Sequence, residues 1–231
     1  MVRFRVEDGF KPRTVLMGFR GIGQVGYLSI RYLIEKLDAE KKGVIETLFA
    51  HPVVIVEDGY LSYPLEVYGY GDLGIIRIEE VPINKRGAYL IREIVKWLKE
   101  NNVERLILIG GLVSSLKEEE GDIARIVTNS LWKEDVGISY TQKDVRVLGP
   151  LAYALYYSEI YGVPSLAILA YANSEQPVDP RGAYYALETL KKLVDIEVDT
   201  EELLKTAAEV EEKIAQLIEE FSETKNKGMY T

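Results

Sequence analysis

The sequence predicts an α/β protein, a three-layer α-β-α sandwich around a mainly parallel β-sheet, followed by a C-terminal helix. Two observations lead to this fold class. Short, almost wholly apolar runs rich in Val, Ile and Leu alternate with segments of helical periodicity. The chain of 231 residues is 47% hydrophobic, which is enough for one large core. We assign residues 1–199 to the sandwich, 200–221 to the final helix and 222–231 to a flexible tail.

The predicted elements of the sandwich follow one another in a regular order. Strands are short β-branched runs such as PVVIV, and helices place apolar residues three and four positions apart, as at Leu90, Ile91 and Ile94. Glycines end two of the strands, at Gly18 and at Gly110. In chain order, we predict strand Thr14–Met17, helix Gln24–Leu37, strands Pro52–Val56 and Ile75–Ile78, helix Ala88–Lys99, strand Leu106–Ile109, helix Leu151–Tyr161, strand Ser165–Ala170 and helix Arg181–Leu193.

Composition excludes several classes of function. The net charge of −9 argues against nucleic acid or an anionic membrane as the main partner. No apolar run approaches the ~20 residues of a membrane span, and the start Met1–Arg5 lacks a signal-peptide core. The chain has no cysteine, which removes disulfides and thiolate chemistry. We therefore expect a cytoplasmic protein without a membrane segment.

The C-terminal segment combines a helix, a polar stretch and an aromatic end. Apolar residues recur at heptad-like spacing from Leu203 to Phe221, which predicts a helix lying on the core or on a neighbouring subunit. Residues 222–228 contain no apolar side chain, so we expect a tether there. The chain then ends in Met229, Tyr230 and Thr231. A methionine, a tyrosine ring and a free carboxylate together suit insertion into a partner's pocket.

A glycine-rich turn supports a competing, enzymatic hypothesis. Gly21–Gly26 fits G-x-G-x-x-G between a predicted strand and a predicted helix, the context of a dinucleotide-binding fingerprint. The ribose-binding acid should follow about 20 residues later, and Glu46 is the nearest candidate, although it does not end a strand cleanly. The same glycines can equally serve a tight strand-to-helix turn. A nucleoside- or nucleotide-binding enzyme thus stays as the alternative.

Other residues that could carry chemistry have simpler structural explanations. His51 is the only histidine, which excludes a multi-histidine metal site. Asp58-Gly59 and Gly71-Asp72 are dipeptides typical of turns, which explains their carboxylates better than an acid/base role does. We expect no catalytic, cofactor-binding or metal-binding residue. One further feature is a group of tyrosines, a residue type favoured in interfaces and in hairpin packing: Tyr60, Tyr63, Tyr68 and Tyr70.

Four segments in order resemble one known family, the PAC2 family of proteasome assembly chaperones, and its archaeal members in particular. They are GFRGIGQVGYLSIRYLIEKL at Gly18–Leu37, HPVVIVEDGYLSYPLEVYGYGDLGII at His51–Ile76, RLILIGGL at Arg105–Leu112 and GVPSLAILAYAN at Gly162–Asn173. The resemblance extends from about Pro12 to Ile218.

The resemblance implies a fold similar to purine nucleoside phosphorylases, no catalytic site, and a homo-oligomer. It also implies that Met229, Tyr230 and Thr231 match the hydrophobic-Tyr-any-residue tail by which some members bind pockets between α subunits of the 20S proteasome core. On this basis we expect a proteasome assembly chaperone or an activator-like protein.

Overall fold

The computed structural model describes residues 1–50, 54–57 and 59–228. An eight-stranded sheet has the order β1-β3-β6-β7-β2-β8-β10-β9, and β4 pairs with β5 in a separate hairpin. The strands are β1 Val2–Val6, β2 Thr14–Gly18, β3 Glu40–Thr47, β4 Ile55–Glu57, β5 Tyr60–Ser62, β6 Leu65–Tyr70, β7 Leu73–Ile78, β8 Arg105–Val113, β9 Ala124–Thr128 and β10 Ser165–Ala172. The helices are α1 Val25–Lys36, α2 Lys85–Glu100, α3 Gly149–Tyr161, α4 Pro180–Leu190 and α5 Glu201–Gly228.

The centre of the sheet is parallel and its flanks are antiparallel. Strands β7, β2, β8 and β10 run in the same direction as neighbours. β6, β3 and β1 continue the sheet in antiparallel pairs on one side, and β9 closes the other side. The α/β class is confirmed, and the sheet is mixed because short turns such as Gly71-Asp72 join sequential strands locally.

Alternation along the central strands builds two cores. Leu16 faces one side of the sheet with α1, α4 and the start of α5, whereas its neighbours Val15 and Met17 face α2 and α3 on the other. Ile107 and Leu108 alternate in the same way. Because successive strand residues point to opposite faces, a run of consecutive aliphatic residues can serve helices on both sides. The three-layer arrangement follows directly from these strands.

The segment predicted as strand Pro52–Val56 differs from the expectation. Residues 51–53 lie outside the described residues, and the strand that the structure shows is β4, Ile55–Glu57. It pairs with β5 across a turn that contains Gly59 at φ +84°, and it does not belong to the main sheet. Apolar, β-branched residues favour a strand, but they do not determine whether the strand is buried.

The last helix is longer than the sequence predicts. α5 begins after Asp199, whose side chain accepts from the Glu201 amide at 2.9 Å, and it extends to Gly228 through the stretch assigned to a tether. Residues 222–227 hold no Gly or Pro, the two residue types that oppose a helix most strongly. Leu203 and Ala207 are buried on the core, and Arg181 of α4 binds Glu211 through two hydrogen bonds of 2.8 Å. The first half of α5 is therefore fastened to α4.

Candidate interaction surface

An exposed apolar surface surrounds the β4–β5 hairpin. Val56 and Leu61 are paired opposite each other in the hairpin, so their side chains lie on one face, the face away from buried Ser62. Leu48 is 86% exposed and Tyr60 79%. We call the following set the hairpin patch: Leu48, Val54, Val56, Tyr60, Leu61 and Tyr63, all large apolar residues exposed to solvent. Tyr60 precedes Leu61 in β5, so its side chain lies on the opposite face of the hairpin, and both faces carry exposed apolar residues of a candidate interaction surface.

A groove of about 650 Å³ lies next to the hairpin patch. Its floor is formed by residues of β3 and by the segment that enters β6, including Val44 and Pro64, and Leu48 and Tyr63 belong to both the groove and the patch. Arg5, Glu46 and Arg86 also line the groove. This surface therefore combines an exposed hairpin with an apolar depression beside it.

A buried charged cluster holds the base of the hairpin. Glu66 of β6 and Arg77 of β7 are opposite each other in the ladder and form a buried ion pair. The Glu66 carboxylate also accepts from Tyr68 Oη at 2.6 Å, from the Tyr63 amide at 3.0 Å and from Ser62 Oγ at 3.2 Å, and it pairs with Lys41. Ser62 ends β5, so this carboxylate connects the hairpin to the main sheet.

A second carboxylate continues the cluster toward α1. Glu79 follows β7 and accepts from Tyr27 Oη at 2.5 Å, while the Arg20 Nη2–Glu79 Oε2 distance is 3.2 Å. The Arg20 guanidinium also lies 3.8 Å from the centroid of the Tyr27 ring. Burial first, and donation to Glu79 second, raise the pKa of the Tyr27 phenol, which keeps its proton at neutral pH. The cluster thus joins three elements of the fold: β7, the turn after β2, and α1.

Acidification should weaken the fold through Glu66. Burial alone would raise the pKa of this carboxyl, but hydrogen bonds from Lys41, Tyr68 and the Tyr63 amide outweigh burial and lower it. A carboxyl whose pKa is depressed in the folded state stabilises fully above its unfolded pKa of about 4.3, and that contribution is lost as the pH falls through the folded value.

Urea unfolding between pH 7 and pH 3 measures this effect. We expect the slope of the unfolding free energy against pH to be shallower for Glu66→Gln than for the unsubstituted chain below about pH 4.3. Equal slopes in that range would contradict the assignment of this carboxyl.

The glycine-rich turn packs tightly against its neighbours. It lies after β2, where strand order reverses between β2 and β8, the usual ligand position in such sheets. A Cβ on Gly26 would lie 2.2 Å from the Ile109 carbonyl oxygen, and one on Gly111 would lie 2.4 Å from the Ile22 carbonyl oxygen. Gly23 has φ +56°, and its carbonyl accepts from the Asp179 amide at 2.8 Å. These glycines therefore allow the backbone of the turn to contact β8 and the loop before α4.

The other sequence-predicted candidates lie apart from one another. Glu46 lies within β3, next to the edge strand β1, and forms an ion pair with Arg5. β3 is antiparallel to its neighbours, so Glu46 does not end a second parallel strand, which is where a ribose-binding acid lies. Gly71-Asp72 forms the turn between β6 and β7. His51, Asp58 and the tail Met229-Tyr230-Thr231 lie outside the described residues.

The tyrosine group divides into two parts. Tyr68 is buried beside Glu66, whereas Tyr60, Tyr63 and Tyr70 are exposed.

Sequence analysis missed Glu66 and Arg77, although a charged residue inside each of two apolar strand segments, LEVYGY and LGIIRI, was an available signal for a buried pair.

The described ranges contain neither a metal-binding cluster nor a helix able to cross a membrane. No group of three or more His, Cys, Asp or Glu side chains in those ranges is placed to hold a metal ion. Among the helices of the same ranges, none has both the length and the apolar character needed to cross a bilayer.

This architecture matches those of several solved structures. Across 98% of this chain and 95% of the other, the fold matches that of Pyrococcus furiosus PbaA, described as an archaeal homolog of proteasome-assembly chaperone, at 25% identity and a TM-score of 0.79. P. furiosus PbaB, described as an archaeal proteasome activator, matches in fold over 94% of this chain and 98% of the other, at 19% identity and a TM-score of 0.71. An uncharacterized protein of Methanocaldococcus jannaschii is 26% identical over 95% of this chain and 91% of its own length. The PAC2 family model matches residues 15–218, and the chain belongs to the PAC2 family.

Proposed function

We propose that this protein is a non-catalytic assembly chaperone or activator-like partner of the proteasome, acting in the cytoplasm. The observation that carries the proposal is the likeness to PbaA over nearly the whole chain. Together with PAC2 membership and the likeness to PbaB, it supports a proteasome-related role. We further propose that the chain binds 20S core α subunits through Met229, Tyr230 and Thr231, the three residues that end it.

The chemistry of those three residues supports docking into a pocket. The Met229 side chain and the Tyr230 ring offer apolar area to a groove between two α subunits, and the phenol can find a polar partner there. The Thr231 carboxylate can pair with a lysine at the base of the groove. Thr231 should then contribute through its terminal carboxylate and hardly at all through its side chain.

A single tail of this size should bind weakly. Three residues bury little surface, and docking costs rotational and conformational freedom. A homo-oligomer that presents several tails at once gains affinity because the later binding events are intramolecular. We therefore propose that the binding form is a homo-oligomer of this chain.

Removing the last three residues should abolish binding to purified 20S core particles. The measurement is a pull-down of core particles and of free α subunits with the intact chain and with a chain ending at Gly228. The intact chain should retain them and the truncated chain should not, and preference for free α subunits would favour assembly over activation. Equal retention by both chains would move the interface to the body of the protein.

Two further variants test the role of the carboxylate. Thr231→Ser preserves the carboxylate and should bind as the intact chain does, whereas one residue appended after Thr231 displaces it and should reduce binding at least tenfold, about 1.4 kcal/mol. Unchanged binding by the extended chain would exclude carboxylate capture.

The nucleotide-binding alternative gains no support from the glycine-rich turn, because its close approaches are between parts of the chain itself.

A further inference from the structure

Helix α3 is apolar on all its sides, including the side that faces solvent. Of its 13 residues only Glu159 is charged, whereas the neighbouring α2 carries seven charged residues in 16. A surface helix normally keeps its outward side polar, and a helix that is apolar all round is normally covered all round. Yet Tyr156 is 61% and Ile160 53% exposed. The outward side of α3 is therefore an uncovered apolar surface.

The corresponding helix on the opposite face of the sheet has a cover. α4 holds only two charged residues among 11, and α5 packs on it, fastened by the two hydrogen bonds between Arg181 and Glu211. Within the described part of the chain, α3 packs chiefly on α2, β8 and β10, which lie beside it or beneath it. The outward side of α3 is thus left for another molecule.

The residues on this side are arranged symmetrically about a tyrosine. We call the following set the α3 face: Ala152, Tyr153, Tyr156, Glu159 and Ile160. Because a helix turns by about 100° per residue, Tyr156 lies at the centre of the face. Tyr153 and Ile160, seven positions apart, lie to one side of it, and Ala152 and Glu159 to the other. Tyrosine is enriched in the cores of protein interfaces.

This arrangement suits a second copy of the same helix. A two-fold axis beside Tyr156, at right angles to the helix, reverses the order of residues along the helix but keeps the two sides of the face. Tyr153 of one copy then meets Ile160 of the other, and Ala152 meets Glu159, with each pair formed twice. The two large apolar residues pair with each other, and the small alanine leaves room for the longer glutamate side chain.

The contact sets no like charges directly against each other. Each Glu159 lies beside an alanine of the other copy, and its carboxylate keeps its present donors at the margin of the face, the Ser130 amide at 2.8 Å and the Ser130 hydroxyl. On the margin next to α2, Glu93 pairs with Arg92 at 3.0 Å and with Lys96 at 3.4 Å, so these cations already have an acidic partner. An apolar centre with a polar rim is the usual anatomy of an interface.

We propose that the α3 face forms a two-fold interface between copies of this chain, with the two α3 helices antiparallel and Tyr156 at the axis. The proposal rests on the homo-oligomer of the proposed function and specifies a surface that forms it. It involves neither the C-terminal tail nor the hairpin patch. A contact centred on one helix falls at the small end of interface sizes, below about 1,200 Å² in total, so association should depend on concentration in the micromolar range.

Disulfide cross-linking tests the position of the axis. The chain has no cysteine, so each variant carries a single thiol. Under mild oxidation, Tyr156→Cys should give at least about fivefold more disulfide-linked dimer than Leu48→Cys, because only the first brings two copies of its thiol together at an axis. Leu48 is the more exposed residue at 86%, so simple accessibility predicts the reverse order. A yield from Tyr156→Cys no higher than that from Leu48→Cys would overturn the proposal.

A mixture of two variants tests the register of the helices. Tyr153→Cys and Ile160→Cys place thiols that meet only between unlike copies. An equimolar mixture of the two should therefore give at least about threefold more linked dimer than either variant alone. A yield from the mixture no greater than that of the separate variants would exclude this two-fold arrangement.

Light scattering after gel filtration tests the contact without a cross-link. The mass of the unsubstituted chain should rise with concentration to at least two subunits of 26.2 kDa, and Tyr156→Glu, which sets two carboxylates together at the axis, should halve it. Leu48→Glu is the exposed control and should leave the mass unchanged. A monomeric unsubstituted chain, an unaltered mass in Tyr156→Glu, or an equal fall in Leu48→Glu would refute the interface. A chain ending at Gly228 should associate as the intact chain does, so a failure here is distinguishable from a failure of the tail hypothesis.

Discussion

Alanine in place of Gly26 should lower the free energy of unfolding by about 3 kcal/mol, the upper end of the usual cost of overpacking. Gly26 lies in the first turn of α1, where alanine normally improves helix propensity. Here, however, the added Cβ would lie 2.2 Å from the Ile109 carbonyl oxygen and 2.8 Å from the Phe19 nitrogen, both backbone atoms. Because backbone cannot move aside as a side chain can, α1 must shift away from β8. Urea unfolding monitored by circular dichroism measures the loss.

The matched control lies within the same glycine motif. Gly21 has open space around its ideal Cβ position and an extended φ of −165°, so Gly21→Ala should change stability by less than about 0.5 kcal/mol. In a dinucleotide fingerprint the third glycine also serves helix–strand packing, so this pair of variants tests packing and not nucleotide binding. Equal destabilisation by the two variants would refute the packing explanation.

Methionine in place of Arg77 should destabilise the protein by about 3–5 kcal/mol, the usual cost of breaking a buried ion pair on one side. The substitution leaves the Glu66 carboxylate charged and fully buried without its guanidinium partner. Glu66 also holds Ser62 at the base of the hairpin, so the loss should extend to the β4–β5 segment. Urea unfolding gives the global change, and hydrogen exchange at Leu61 and Ser62 gives the local one.

An exposed ion pair provides the control. Arg5→Met removes the guanidinium that pairs with Glu46 at 2.7 Å, but both side chains are more than half exposed, so the expected loss is below about 1 kcal/mol. A double variant, Arg77→Met with Glu66→Gln, should recover part of the stability lost in Arg77→Met, because it removes a buried charge that has lost its guanidinium partner and keeps only Lys41 and its neutral hydrogen-bond donors. A loss at Arg77 no larger than that at Arg5 would show that the buried pair does not hold the hairpin.

The parallel centre of the fold was predictable from the sequence, and its antiparallel margins were not. Strands β2, β8 and β10 are continuous aliphatic runs that require cover on both faces, and these stand out in any sequence. β1 and β3 contain exposed charged residues, as in EKKGVIET, because edge or half-exposed strands keep one face in water, whereas Arg125 of the edge strand β9 is buried. Their strand character depends on pairing with distant segments, which no local pattern reports.

The candidate surface was the hardest part to predict. The run PVVIV has the composition of a core strand, but Val54 and Val56 are exposed because the segment pairs only with β5 among the described residues. The two members of the buried pair, Glu66 and Arg77, are 11 positions apart, and only the register of β6 against β7 brings them together. By contrast, the glycine motif was correctly placed in a strand-to-helix turn, since local geometry alone requires it there.

The length of α5 has a geometric consequence for the end of the chain. A helix rises by about 1.5 Å and turns by about 100° with each residue, so the helical stretch after Glu211 fixes the distance and direction of Gly228 from Glu211. A chain end on a helical arm samples fewer positions than one on a random coil, and in a symmetric assembly such ends would stand at a fixed radius. The assembly would then fix the distance between neighbouring chain ends. Only a receptor whose pockets have the same spacing could bind several of these ends together.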